Sequence, residues 1–195
     1  YFFMLDLIKQ LRERTGLGMM DCKKAIEESK GDIEKAIEFL RKAGIIKAAK
    51  KAERETKEGL IDSYIHPGAR IGVLVKVNCE TDFVARNEEF KTLVHDIAVQ
   101  IAASDPQYLK PEDVPQEIKE KEMEIYKEQL QKEGKPDAII DKIIQGKLQK
   151  FCSEICLTKQ SFFKEEKITI EELINQMISK LGENIQIAEF VRYKL

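Results

Sequence analysis

Histidine and cysteine, the side chains most versatile in nucleophilic and metal chemistry, are few: two histidines, His66 and His95, and four cysteines, Cys22, Cys79, Cys152 and Cys156. Neither histidine belongs to an HExxH pattern, and no GxSxG, GxGxxG or phosphate-loop pattern occurs. Cys152 and Cys156 lie one helical turn apart, which would suit two zinc ligands. No second ligand pair stands at suitable spacing, so they read as helix-face residues rather than a metal site. Cys79 could be a nucleophile, but only Glu80 stands beside it, and a half-buried thiol is the better reading. No catalytic residue, metal or cofactor is assigned, and the chain is not read as an enzyme.

What remains points to a protein partner. Between a period-two stretch (Ile71, Val73, Val75, Val77) and a helix-period stretch (Phe90, Leu93, Val94, Ile97) lies the short connection Thr81–Arg86. Connections set by a rigid strand and a rigid helix are where function concentrates. Asn87 suits the cap of the helix that follows, with Glu88 and Glu89 in its first turn. Phe83 has two readings. It precedes Phe90 by two helical turns, so a helix starting at Thr81 would put both in the core; otherwise Phe83 is a projecting wedge and a natural hot spot. Met19 and Met20 pose the same choice. They follow the turn Gly16-Leu17-Gly18, and two large neighbours cannot easily both point inward, so at least one is a candidate contact.

The elements around these residues follow from punctuation and periodicity. Leu7, Ile8 and Leu11 mark a first helix. Asp21 reads as the cap of a second, and Gly31 as its end. Asp32 caps a third, which Gly44 closes. Residues 1–45 thus form a three-helix module near the lower size limit for independent folding. Residues 46–58 read as an exposed linking helix, and 59–195 as an α+β core. There, Gly59–His66 and Arg70–Asn78 form a hairpin about Pro67-Gly68. The charged helix 116–133, with Ile118, Met123, Ile125 and Tyr126 as its sparse contacts, pairs with a more apolar helix over 137–157. A loop over 159–167 exposes Phe162 and Phe163, Thr169 caps a short helix ended by Gly182, and Asn184–Lys194 alternates as a last strand. The expected class is α+β: an antiparallel three-stranded sheet with helices gathered on one face.

Composition narrows the partners. Of 195 residues, 43% are hydrophobic and 35% charged, which permits a core beneath exposed amphipathic helices. A net charge of −2 argues against non-specific nucleic-acid binding as the main activity. The Lys47–Lys57 run could serve an RNA-binding adaptor, but Glu53 and Glu55 interrupt it and no aromatics interleave for stacking. No apolar run is long enough to span a membrane. The start, Tyr1-Phe2-Phe3-Met4-Leu5, is apolar but short and lacks a basic leader, so it is not read as a signal peptide; whether Tyr1–Phe3 are native or Met4 is the start is left open. Scattered cysteines suit a reducing, cytoplasmic setting.

Two longer stretches carry a family resemblance. Leu11–Ala25, reading LRERTGLGMMDCKKA, resembles the N-terminal signature of the elongation factor Ts family. Val77–Asn87, reading VNCETDFVARN, is similar to its second signature. A similar Lys47–Ala52 linker joins them. Gln160–Lys164 matches a stretch that usually has proline where Ser161 stands here, and Phe190–Tyr193 matches the closing strand, with Glu189 where a basic residue is common. The resemblance implies a guanine-nucleotide exchange factor for the GTPase elongation factor Tu, with a ubiquitin-associated-like N-terminal module. It implies that Leu17, Met19, Met20 and Lys23 dock on the GTPase. It further implies that Thr81, Asp82, Phe83 and Val84 push in near the partner's Mg²⁺. The length implies the short form with one core subdomain, and so a homodimer engaging two GTPases, with the exposed sheet face as dimer surface. A ubiquitin-type recognition module on the first forty or so residues is a further alternative that leaves 81–87 unexplained.

Overall fold

The computed structural model describes residues 2–195, and the side chains of all of these but 2, 3, 137 and 138; the first residue of the apolar start, Tyr1, lies outside them. In chain order the elements are α1 (Phe2–Thr15), α2 (Met19–Glu28), α3 (Ile33–Ala49), β1 (Glu58–Ile65), β2 (Ile71–Cys79), α4 (Asp82–Ala85), α5 (Glu88–Ser104), α6 (Gln116–Lys132), α7 (Asp137–Ile155), β3 (Ser161–Phe162), β4 (Glu165–Thr169), α8 (Ile170–Leu181) and β5 (Ile185–Lys194). The chain divides into two compact units: 1–62, 75–96 and 172–190 form the first, and 63–74, 97–171 and 191–195 the second.

In the first unit, α1, α2 and α3 bury one shared core of Ile8, Leu11, Cys22, Ala25, Ile26 and Leu40. These are the i, i+3, i+4 stripes of the three helices. Two joints differ from the sequence reading. Asp21 does not cap α2. The helix starts at Met19 with the extended Gly18 before it, and Asp21 instead meets Lys47 of α3 at 2.9 Å. Gly44 does not end α3, which runs on to Ala49. It is buried within the helix, and a Cβ there would come within 3.1 Å of Ser179 Oγ on α8. Gly44 is therefore a packing residue, not a stop. The expected linking helix is replaced by the end of α3, turns over 50–53 and an extended run into β1.

The sheet has the order β1-β2-β5 and is antiparallel, as expected. Pro67-Gly68 turns the hairpin, with Gly68 at φ +92° and the His66 N–H donating to Ile71 O at 2.9 Å. At the other flank, Leu195 N–H meets Arg70 O at 3.0 Å, so β5 ends where β2 begins. Along β2, Val73, Val75, Val77 and Cys79 are buried while Leu74 is exposed, the period-two pattern of a sheet covered on one side. The alternation predicted for β5 shifts by one. Ile185 and Ile187 are buried, Ala188 and Glu189 are both exposed, and from there Val191 and Tyr193 face outward. Arg192 turns in instead, donating to Ala102 O at 3.1 Å and pairing with Asp105 at 2.8 Å at the end of α5. A cation there satisfies a helix C-terminus, which outweighs strict alternation.

In the second unit, α6 and α7 pair around Leu130, Ile140 and Ile144, flanked by Met123, Tyr126 and Ile143. Ile125 is exposed rather than a contact. The expected loop over 159–167 contains the two-stranded β3-β4 ladder. Phe162 is buried beneath it and Phe163 remains exposed, the two rings meeting edge to face at 5.1 Å. The buried Gln100 side chain fixes this turn, donating to Ser161 O at 3.2 Å and accepting from Phe163 N–H at 3.0 Å. Among the described residues no helix is long and apolar enough to cross a membrane, and no three His, Cys, Asp or Glu side chains gather as a metal site.

Candidate functional site

β2 ends on Cys79, which is fully buried rather than half-buried. Its Sγ–H donates to Thr81 O at 3.2 Å. Burial, with the Glu183 charge adding to it, pushes this thiol up to about 11, so it is no nucleophile at neutral pH. The chain then leaves the strand at Thr81, whose extended backbone and side-chain oxygen cap the single turn α4 by accepting from Val84 N–H at 3.5 Å. Backbone bonds from Ala85 to Thr81 and from Arg86 to Asp82, at 3.2 and 3.0 Å, complete the turn. Arg86 also reaches Asp82 at 3.0 Å, so the acid closes the loop on itself.

Within that turn the two apolar residues part company. Val84 is buried, at 9% exposure, and anchors the turn to the unit. Phe83, one residue earlier and about 100° round the helix, is 81% exposed. The core alternative for Phe83 therefore fails, and for a definite reason. α4 ends at Ala85 and α5 starts afresh at Glu88, with Asn87 Oδ1 accepting from Glu89 N–H at 2.8 Å as the new cap. The seven-residue spacing between Phe83 and the fully buried Phe90 is thus not measured along one helix.

The frame has a member that sequence reasoning missed. Glu183, in the turn between α8 and β5, accepts from the Glu80 and Thr81 N–H groups at 3.1 and 3.0 Å and from the Thr81 hydroxyl at 2.6 Å. Glu80 answers by accepting from Asn184 N–H at 2.6 Å. About a hundred residues separate the partners, so no local signal could pair them.

The methionine pair lies in the same unit. Gly16, at φ +66°, ends α1, and its N–H donates to Arg12 O at 2.8 Å. Leu17 tucks half-buried against the three-helix core. Met19 and Met20 open α2, 41% and 75% exposed. Lys23, half-exposed, lies 3.8 Å from Glu27 one turn on, a pair of small energetic weight. The basic run after it is not a free cationic face: Lys47 holds Asp21, Lys51 bonds Gly182 O, and Lys57 pairs with Glu55 at 3.1 Å.

A buried strand end, an exposed aromatic on a bonded turn and an exposed methionine pair form no catalytic constellation among the described residues, and comparison with known proteins supplies the family. The family model described as elongation factor TS matches residues 22–195. The chain belongs to the elongation factor Ts family. It is 59% identical over 187 residues to elongation factor Ts of Thermosipho melanesiensis, covering 96% of this chain and 95% of that one. The elongation factor Ts of Carboxydothermus hydrogenoformans is 56% identical over 190 residues, covering 97% and 88% of the two chains. That of Fervidobacterium nodosum is 56% identical over 190 residues, covering 97% and 96%. Elongation factor Ts is the guanine-nucleotide exchange factor for elongation factor Tu in translation elongation.

Proposed function

We propose that this chain acts on the GTPase elongation factor Tu through two contacts, the loop Thr81–Val84 and the docking residues Leu17, Met19, Met20 and Lys23. The factor itself makes and breaks no covalent bond. The observation that carries the reading is Phe83: four-fifths exposed, yet mounted on a turn whose backbone and polar side chains are internally bonded. A large aromatic held out in a rigid frame loses little entropy on docking. The mechanism is linkage. A protein that favours the nucleotide-free GTPase weakens GDP by the same factor by which GDP weakens it. Mg²⁺ bridges nucleotide phosphates and protein oxygens in such GTPases, so a wedge that disturbs its ligands loosens the nucleotide. The factor binds no metal in this reading; the ion is the partner's.

Ile65, Leu74, Val191 and Tyr193 leave an apolar outer face on the second unit's strand segments. That face supports a homodimer, and with it a complex of two exchange factors and two GTPases. Free cysteines and the partner's role in translation favour the cytoplasm. Stopped-flow release of a fluorescent GDP analogue from elongation factor Tu tests the main reading. Substoichiometric wild-type protein should accelerate release; no acceleration with a matched GTPase sinks it. Light scattering tests the dimer, which a monomer mass at micromolar concentration would exclude.

A further inference from the structure

Two consecutive residues, Glu183 and Asn184, gather two segments that are distant in sequence. One is 52–54, the way out of α3. The other is 80–81, the way into α4. Asn184, 1% exposed, donates from Nδ2 to Arg54 O at 2.8 Å and to Ala52 O at 3.3 Å. Its backbone N–H goes to Glu80 Oε1 at 2.6 Å, and Arg54 approaches the same oxygen at 3.5 Å. Glu183 holds 80–81 from the other side through both of its carboxylate oxygens.

The Thr81 hydroxyl makes the chemistry specific. A hydroxyl has one hydrogen and two lone pairs. Its hydrogen goes to Glu183 Oε1 at 2.6 Å, a short charge-assisted bond. That commitment leaves a lone pair facing Val84 N–H, which is the cap of α4. Without a partner at position 183 the hydroxyl can turn to its own backbone, and α4 loses both its cap and the anchor on the Glu80 and Thr81 amides that lead into it.

We propose that Glu183 is a positioning residue for nucleotide exchange: it fixes Thr81 so that α4 presents Phe83 to the partner at one angle. The proposal rests on Thr81–Val84 being the working loop. A residue that only stabilised the fold would change the amount of active protein. A positioning residue changes the maximal rate of GDP release and leaves docking by the Met19–Met20 turn intact.

The experiment measures GDP release over a range of elongation factor Tu·GDP concentrations, together with hydrogen–deuterium exchange at the Glu80 and Thr81 amides of the free factor. Glu183→Ala should lower the maximal rate about tenfold, with half-saturation within about twofold of wild type, and both amides should lose protection. Glu183→Gln should restore most of each. Its amide oxygen can accept the same two N–H groups, and its NH₂ can donate to Thr81 Oγ. Wild-type rates in Glu183→Ala, with Phe83→Ala inactive, overturn the proposal alone. A fully active Phe83→Ala overturns the reading beneath it. Should Glu183→Ala fail to fold, Glu183→Asp carries the test: a shorter carboxylate giving wild-type rate and protection overturns the positioning role.

Discussion

Met20 and Phe83 are both large, apolar and exposed, at 75% and 81%, yet they are mounted in opposite ways. Met20 stands in the first turn of α2 behind a two-glycine turn, on an unbranched side chain with three rotatable bonds. Phe83 stands on a turn fixed at Thr81 by Glu183, at Asp82 by Arg86 and at Val84 by burial. An adaptable contact suits recognition, because it can fit the partner in any state and adds binding without distortion. A preorganised contact suits work on the partner, because its rigidity obliges the other side to move.

That contrast can be broken most directly at Phe83. Phe83→Ala should leave the melting temperature unchanged, since the ring touches little of its own chain. It should cut the maximal GDP-release rate by about 100-fold, the scale of a hot-spot aromatic. A collapse in melting temperature instead would return Phe83 to the core. Met20→Ala should act on the other axis. Half-saturation in the same assay should rise about tenfold while the maximal rate holds; a fallen maximal rate would erase the division of labour. Thr81→Val loses the cap of α4, with a cost of about 1 kcal/mol and an expected fall in melting temperature of about 2–4 °C for a chain this size, read by calorimetry. The smallest effect concerns the buried thiols behind the two contacts. Burial raises Cys22 in the three-helix core and raises Cys79 at the strand end to about 11, against 9.0 ordinarily. Each folded thiol holds its proton more tightly than the unfolded one. For Cys79 the stabilisation is therefore full below about pH 9 and is lost as pH climbs through about 11, and Cys22 contributes in the same direction. Denaturant midpoints that stay level across that window would refute the burial argument for Cys79.

Much of this was legible in the sequence because it is periodic or punctuated. The valines of β2, the stripes of the three-helix module and the Asn87 cap all declare themselves within a few residues. Legibility failed where a distant partner decides. Gly44 resembles a stop until Ser179 arrives across from it. Asp21 resembles a cap until Lys47 claims it. Phe162 reads as exposed when 159–167 is taken as a loop, whereas the β3-β4 ladder and Gln100 determine its burial. At the site, the loop residues could be singled out from their wording, but the Glu183 brace could not. Its three bonds join residues about a hundred positions apart, and nothing at Glu183 itself distinguishes it from any other acid before a strand.

The persistence of α3 past Gly44 has a mechanical consequence. Seventeen residues of unbroken helix make a rod of about 25 Å. A linker of the same length that flexed would let the methionine turn and the phenylalanine turn search for their sites separately, at an effective concentration set by its random reach. A rod fixes their separation instead. On the proposed two-contact reading, the second contact is then delivered at a raised local concentration once the first has formed. Two glycines placed at Ala48 and Ala49 would convert the rod into a hinge.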